Sequence, residues 1–155
     1  MNGEIGEPMK IDDKFHYRKL SGIDNKLSVL IAGSRTFDNY KLLSDICKTL
    51  ANGNDLRIIS GAAKGADTLA RKFAEENNYE YIEMPADWGK YGKRAGYIRN
   101  QQMHEKLCQY DERLCIAFWD GESKGTQHNF GLAEKFQTPI VIYNYKTNEI
   151  QVKNN

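Results

Sequence analysis

At 155 residues, 40% of them hydrophobic, the chain holds enough apolar material for one domain with a real core and too little length for two ordinary ones. Its 22 basic and 21 acidic residues leave a formal net charge of +1, so no global field draws it onto nucleic acid or anionic lipid, and any basic site must be local. No apolar run approaches the roughly 18 residues of a membrane helix, and the acidic, glycine-containing N-terminus lacks a signal peptide's apolar segment, which argues against a membrane partner and against secretion.

Residues 1–26 carry five acidic and five basic residues with few aliphatics, and read as a partly ordered extension rather than a second domain. From Leu27 onward, apolar runs of strand length alternate with helical patterns. The spacing predicts a strand at 27–32, a helix over about 38–51, a strand at 56–59, a helix over about 65–77 and a strand at 80–84. A helix over about 95–108, a strand at 113–119, a helix over about 124–137 and a strand at 139–144 follow. Residues 146–155 form a tail, or a short edge strand over Glu149 to Val152. Leu43, Ile46, Cys47 and Leu50 give the first helix an apolar face, and Ala66, Leu69, Ala70, Phe73 and Ala74 give the second a clearer one. Strands alternating with helices imply right-handed crossovers and a sheet covered on both sides. The fold class is therefore α/β, a Rossmann-like three-layer sandwich over 27–145 with a mainly parallel sheet of about five strands.

In such sheets ligands sit beyond the carboxyl ends of the strands, and all the unusual loops fall there. Gly33-Ser34-Arg35 follows the first strand, Ser60-Gly61 through Gly65-Ala66-Asp67 the second, Pro85 to Asn100 the third, and Asp120-Gly121 through Lys124-Gly125-Thr126 the fourth. The connection Asn52-Gly53-Asn54, at the opposite edge, reads as an ordinary turn. Three strand–glycine turn–helix units point to a phosphate-bearing ligand, because the unpaired N–H groups of a helix's first turn donate to anions without any side chain. A single glycine-rich turn would be explained equally well by tight chain reversal.

The segment 85–100 reads as a long connection without regular structure. It carries Lys90, Lys93, Arg94 and Arg99 against Asp87, a local net charge of +3. Trp88, Tyr91 and Tyr97 are interleaved with these cations, which offers phosphate partners and a flat stacking surface; the plainer alternative is a solvated loop whose aromatics pack on the sheet edge. Arg35 is placed to clamp a phosphate or carboxylate, or else to form an ion pair with Asp67 or Asp120. Asp67, in a helix's first turn, is favourable for dipole reasons alone. The order around Lys124-Gly125-Thr126 is not that of a P-loop. His16, His104 and His128 are scattered and no cysteine pair has ligand spacing, so no metal is expected. Three widely spaced cysteines, Cys47, Cys108 and Cys115, fit reduced thiols and a cytoplasmic protein.

Taken together, Gly33-Ser34-Arg35-x-Phe37, Ser60-Gly61-x-Ala63-x-Gly65-Ala66-Asp67, Ala86-Asp87-Trp88, Arg99-Asn100-x-x-Met103 and Ser123-Lys124-Gly125-Thr126 resemble the YspA-like branch of the SLOG superfamily, over about residues 27–143. That superfamily includes the DprA proteins, which load single-stranded DNA, and the LOG-type phosphoribohydrolases, which cleave the N-glycosidic bond of nucleoside monophosphates. The resemblance implies a Rossmann-like nucleotide-binding fold, often paired as a homodimer. LOG-type enzymes are similar at Arg99-x-x-x-Met103 and Gly125-Thr126, but their catalytic glutamate, three residues beyond the threonine, is Asn129 here. An amide cannot act as a carboxylate base.

The residues and the resemblance lead to a module binding a nucleotide or nucleotide derivative, as sensor or sequestering protein, with no cofactor implied beyond that ligand. Its contacts would come from Gly33, Ser34, Arg35, Ser60, Gly61, Gly65, Ala66, Asp67, Trp88, Tyr91, Lys93, Arg99, Asn100, Asp120, Gly121, Lys124, Gly125 and Thr126. Two alternatives stand beside it. One is a hydrolase of an N-glycosidic or phosphate bond, with Asp67, Asp87, Asp120 and Arg99 as candidate catalytic residues. The other is a single-stranded nucleic-acid module, against which the near-zero net charge argues.

Overall fold

The computed structural model describes residues 15–21 and 25–155. Six strands and five helices follow one another in chain order: β1 (Leu27–Gly33), α1 (Tyr40–Ala51), β2 (Leu56–Ser60), α2 (Ala66–Glu76), β3 (Glu80–Glu83), α3 (Trp88–Tyr91), α4 (Ala95–Leu107), β4 (Arg113–Trp119), α5 (Lys124–Lys135), β5 (Ile140–Asn144) and β6 (Glu149–Lys153). The sheet has six strands where about five are predicted. The sixth is the edge strand foreshadowed at Glu149 to Val152, which turns back through Asn144–Asn148 and pairs antiparallel with β5, Ile142 opposite Gln151.

Strand order is β3-β2-β1-β4-β5-β6, with all pairs but the last parallel. β1 lies at the centre and is buried almost end to end, as its unbroken run Leu27–Ala32 requires of a strand covered on both faces. Alternation then sorts its side chains. Leu27, Val29 and Ile31 join Leu43, Cys47 and Leu50 of α1 and Ala66, Ala70, Phe73 and Ala74 of α2 in one core layer. Leu30 joins Ile59, Met103, Leu107, Cys115, Ala117, Ala133 and Ile142 in the other, beneath α4 and α5. α1 starts where the Asn39 side chain accepts the Leu42 N–H at 3.1 Å, and ends at Asn52 in the left-handed conformation.

The extension expected over 1–26 lies partly outside the described residues, namely at 1–14 and 22–24. Residues 15–21 pack on the domain. Tyr17 is fully buried, its N–H bonds to the Leu50 carbonyl at 2.8 Å, and its hydroxyl donates to Glu112 at 2.8 Å beside the Arg18–Glu112 ion pair. Asn52 and Asn54 donate their side-chain amides to the carbonyls of Tyr17 and Arg18. Burial, with the Glu112 contact, raises the Tyr17 phenol well above its ordinary pKa. Among the described residues no helix is long and apolar enough to cross a membrane.

Because Tyr17 fills a fully buried site under the α1 C-terminus, Tyr17→Ala should lower unfolding free energy by about 3–5 kcal/mol, whereas Tyr17→Phe, which keeps the ring, should cost about 1 kcal/mol. Urea denaturation midpoints measure both; equal and small losses would make residues 15–21 a loosely attached segment.

Candidate functional site

The chain leaves β1 towards α1 on one face and leaves β4 towards α5 on the other, so a crevice opens between the carboxyl ends of these neighbouring strands. A cleft of about 430 Å³ occupies it. Gly33, Arg35 and Thr36 after β1, Ala63 and Asp67 around the start of α2, Asp120 and Ser123 after β4, and Gly125, Thr126 and Asn129 of α5 line three of its sides. Trp88, Lys93, Gly96, Tyr97, Arg99, Asn100 and Met103 line the fourth.

That fourth wall is more regular than the sequence implies. Asp87 accepts the Lys90 N–H at 3.0 Å and starts the single turn of α3, which Gly92 ends at φ 59°. A 3-10 turn over Gly92–Arg94 then runs into α4 at Ala95, the helix predicted over about 95–108, so Arg99 and Asn100 at the end of the 85–100 connection stand on that helix. The inward positions of that helix, Gly96, Arg99, Asn100 and Met103, follow its i, i+3, i+4, i+7 spacing. Periodicity extended back from Arg99, Asn100 and Met103 finds Gly96 from the sequence. Trp88 and Tyr97 are 52% and 47% exposed, so the aromatic surface at the cleft mouth is not packing on the sheet edge.

The glycines do different work from one another. A Cβ at Gly65, which has φ +76°, would overlap the Ser34 carbonyl oxygen and stand 2.5 Å from that of Arg35; Gly65 is there so that the β1 and β2 loops can touch. A Cβ at Gly33 would lie 2.6 Å from the Cβ of Ala66, for the same reason. One at Gly61 would run into the Arg99 guanidinium, whose Cζ would be 2.8 Å away, with Asp67 Oδ2 also at 2.8 Å. Gly125 alone among the predicted cleft glycines has open space where its Cβ would be, and normal φ. Ser34, Ser60, Gly61, Gly65 and Ala66 lie behind the cleft wall, and Tyr91, Gly121 and Lys124 are outside the lining.

The charged residues divide in the same way. Asp67 is 7% exposed, and its Oδ2 accepts the Ala63 N–H at 3.1 Å. Burial pushes its carboxyl up to about 6, against the pull of Arg99, the Ala63 N–H, Ser60 and Arg35. Asp120 behaves oppositely. Burial raises it, but the N–H groups of Ser123 at 2.7 Å and Glu122 at 2.9 Å, with Ser34, hold it below the ordinary carboxylate range. Asp87 is an exposed helix cap outside the lining. Arg35 is exposed and, among the described residues, has no carboxylate within ion-pair distance, although its charge still acts on Asp67.

Asn129 is fixed by its surroundings. Its side-chain oxygen accepts from His104 Nε2 at 2.9 Å, and its amide donates to the carbonyls of Gly125 and Thr126 at 3.3 Å each. His104 is fully buried, and burial pushes its imidazole down to about 4, so the ring is neutral with its proton on Nε2 and no partner at Nδ1. In the sequence His104 is one of three scattered histidines, and only the packing of α4 on α5 brings it to Asn129. Asn100 similarly donates to the Gly125 carbonyl at 3.2 Å and lies 3.3 Å from His128 Nδ1, whose ring meets Tyr97 edge-on at 4.8 Å.

A central parallel strand flanked by crossovers to opposite faces, with a cationic and aromatic cleft at the switch point, defines a Rossmann-like domain. Residues 27–91, from β1 through α3, match the model of the YspA, cpYpsA-related SLOG family. The chain is also 32% identical over 127 residues to the Gene 61 protein of Mycobacterium phage D29, an alignment covering 76% of this chain and 97% of that one. The protein belongs to the YspA, cpYpsA-related SLOG family, whose fold points to nucleotide-related ligands. No solved structure matches it.

Asp67 and His104 give opposite linkages in one pH window. The raised pKa of Asp67 means that the folded state holds more protons between about pH 4 and 6, so this group lowers stability as pH rises through that range. His104, depressed to about 4 from the ordinary 6.5, makes the unfolded state hold more protons and raises stability over the same range. Each is worth up to about 3 kcal/mol, so they largely cancel. Asp67→Asn should therefore unmask a rise in unfolding free energy between pH 4 and 6.5 that the parent protein lacks. An unchanged profile would return Asp67 to an ordinary carboxylate pKa.

Proposed function

We propose that this protein binds a nucleotide or a nucleotide-derived molecule in the cleft between the ends of β1 and β4, as a sensor or sequestering module. The observation that carries this reading is the N-terminus of α5. Its cap, Ser123, makes no side-chain capping bond, its first turn contains no acidic residue, and Ser123, Gly125 and Thr126 line the cleft. Among the described residues the N–H groups of Lys124, Gly125 and Thr126 are open to an anion, whereas that of Ser123 is taken by the Asp120 carboxylate at 2.7 Å. The α2 N-terminus is less suited, because the Asp67 carboxylate occupies its first turn and engages the loop leading into it. A phosphate at α5 would have Arg35, Lys93 and Arg99 around it, while Trp88 and Tyr97 offer ring faces at the mouth. Asn100 and Met103 would back the ribose and Gly125 would let it approach.

Hydrolysis is the second reading, and Asp67 favours it over Asp87 and Asp120. Asp87 caps α3 and Asp120 is occupied by its own loop, whereas Asp67 faces the cleft with a carboxyl that exchanges protons near pH 6. Asn129 cannot replace a glutamate here, since its oxygen is committed to His104 and its amide to α5.

Isothermal titration with mono- and diphosphates of the common nucleosides, with mass spectrometry of each mixture, tests both readings. The binding module predicts at least one micromolar-class ligand recovered intact, and a loss of about tenfold in affinity for Arg35→Ala with an unchanged melting temperature, since that exposed side chain makes one charge-assisted contact. A free base or released phosphate, lost in Asp67→Asn, would make it a hydrolase. A lowered melting temperature for Arg35→Ala would make that residue structural. Absence of binding by every nucleotide would overturn the proposal.

A further inference from the structure

The outer face of α4 carries a second groove, of about 500 Å³, that shares only Tyr97 with the cleft. Arg94, Ile98, Gln101, Gln102 and Glu105 stand along it at i, i+4, i+7, i+8 and i+11, opposite the inward face that lines the cleft. Tyr97 borders both cavities, and His128 supports its ring edge-on. The same corner holds the proposed phosphate seat, because Asn100 Nδ2 reaches both the Gly125 carbonyl, in the first turn of α5, and His128 Nδ1. A phosphate at α5 would thus lie beside a half-exposed aromatic partition with a cavity on either side.

We infer that Tyr97 separates two ring-binding subsites, so that the ligand is of dinucleotide type, with one base in the cleft and the second in the groove outside α4. This rests on the nucleotide-binding reading above. The groove has the chemistry of a base and not of a phosphate chain: two side-chain amides at Gln101 and Gln102 to meet base edges, the aliphatic Ile98 beneath, one cation at Arg94 and one acid at Glu105. Glu105 would repel a further phosphate, which sets the bridge at the Arg94 and Lys93 end and limits the ligand to two bases.

Calorimetric titration of the full chain compares adenosine 5′-diphosphate with diadenosine 5′,5′-pyrophosphate, and the guanosine pair likewise, so that the two phosphates are matched and the second compound adds one nucleoside, ribose and base, with one negative charge fewer. The two-base compound of at least one pair should bind about tenfold more tightly, as one added stacked base implies. The Q101A/Q102A double variant should lose that gain while binding the diphosphate unchanged. Equal affinities within both pairs, or a double variant that weakens both members alike, would overturn the second subsite and leave the nucleotide-binding reading intact. If neither compound of either pair binds, both readings fall. A single strand of about twelve nucleotides binding a further tenfold more tightly than the dinucleotides would overturn the two-base limit in favour of a strand-binding groove.

Discussion

The cleft depends on how closely two loops approach behind it. The β1 loop and the start of α2 meet with almost no side chain between them, Gly65 against the Ser34 and Arg35 carbonyls and Gly33 against Ala66. The Ala66 N–H points to the Ser34 carbonyl at 3.4 Å, and the Ser34 hydroxyl accepts the Asp120 N–H at 3.2 Å. Three loops from three neighbouring strands are thereby tied at one residue, and the crevice is held open by backbone instead of by mobile side chains. A side chain at position 65 would be a folding defect before it was a binding defect.

This arrangement changes the meaning of the glycine-rich motif Ser60 to Asp67. Glycines followed by a helix invite the reading that a ligand's phosphate sits on the backbone, yet here the space at Gly61 is taken by Arg99 and that at Gly65 by the β1 loop. The motif builds the wall and delivers one functional group, Asp67, into the cleft. Open helix N–H groups are left to Lys124–Thr126, beyond the Ser123 N–H that Asp120 takes, and there Gly125 has nothing against it. Physically, a helix dipole attracts one anion, and at α2 the protein has supplied its own.

Burial sets the electrostatics of the remainder. Asp67 and Arg99 share a region from which water is largely removed, each shifted towards its neutral form by desolvation and back by the other. His104 and Asn129, on the other flank, meet burial by staying neutral and pairing with each other. The cleft therefore holds one charge-bearing flank and one neutral, rigid flank, and the exposed Arg35 and Lys93 stand outside both.

Much of this was legible in the chain itself. Largely apolar runs of five to seven residues marked β1, β2, β4 and β5, helical patterns marked α1, α2, α4 and α5, and their alternation dictated a parallel sheet with its loops gathered at one edge, because local sterics and burial act over windows shorter than one element. Of the contacts expected from the sequence, Gly33, Arg35, Asp67, Trp88, Lys93, Arg99, Asn100, Asp120, Gly125 and Thr126 line the cleft at that edge. The sixth strand stood at the margin, since an exposed edge lacks the hydrophobic run that marks a buried one. Three things belonged to the tertiary structure alone. Which glycines carry space for a ligand and which are filled depends on atoms far apart in sequence, as Gly61 and Arg99 are. The pairing of His104 with Asn129 depends on α4 lying against α5. The burial that lifts Asp67 depends on how the assembled loops cover it, which no single stretch of sequence contains, whereas Asp120 is held down largely by the N–H groups of its own turn, Glu122 and Ser123.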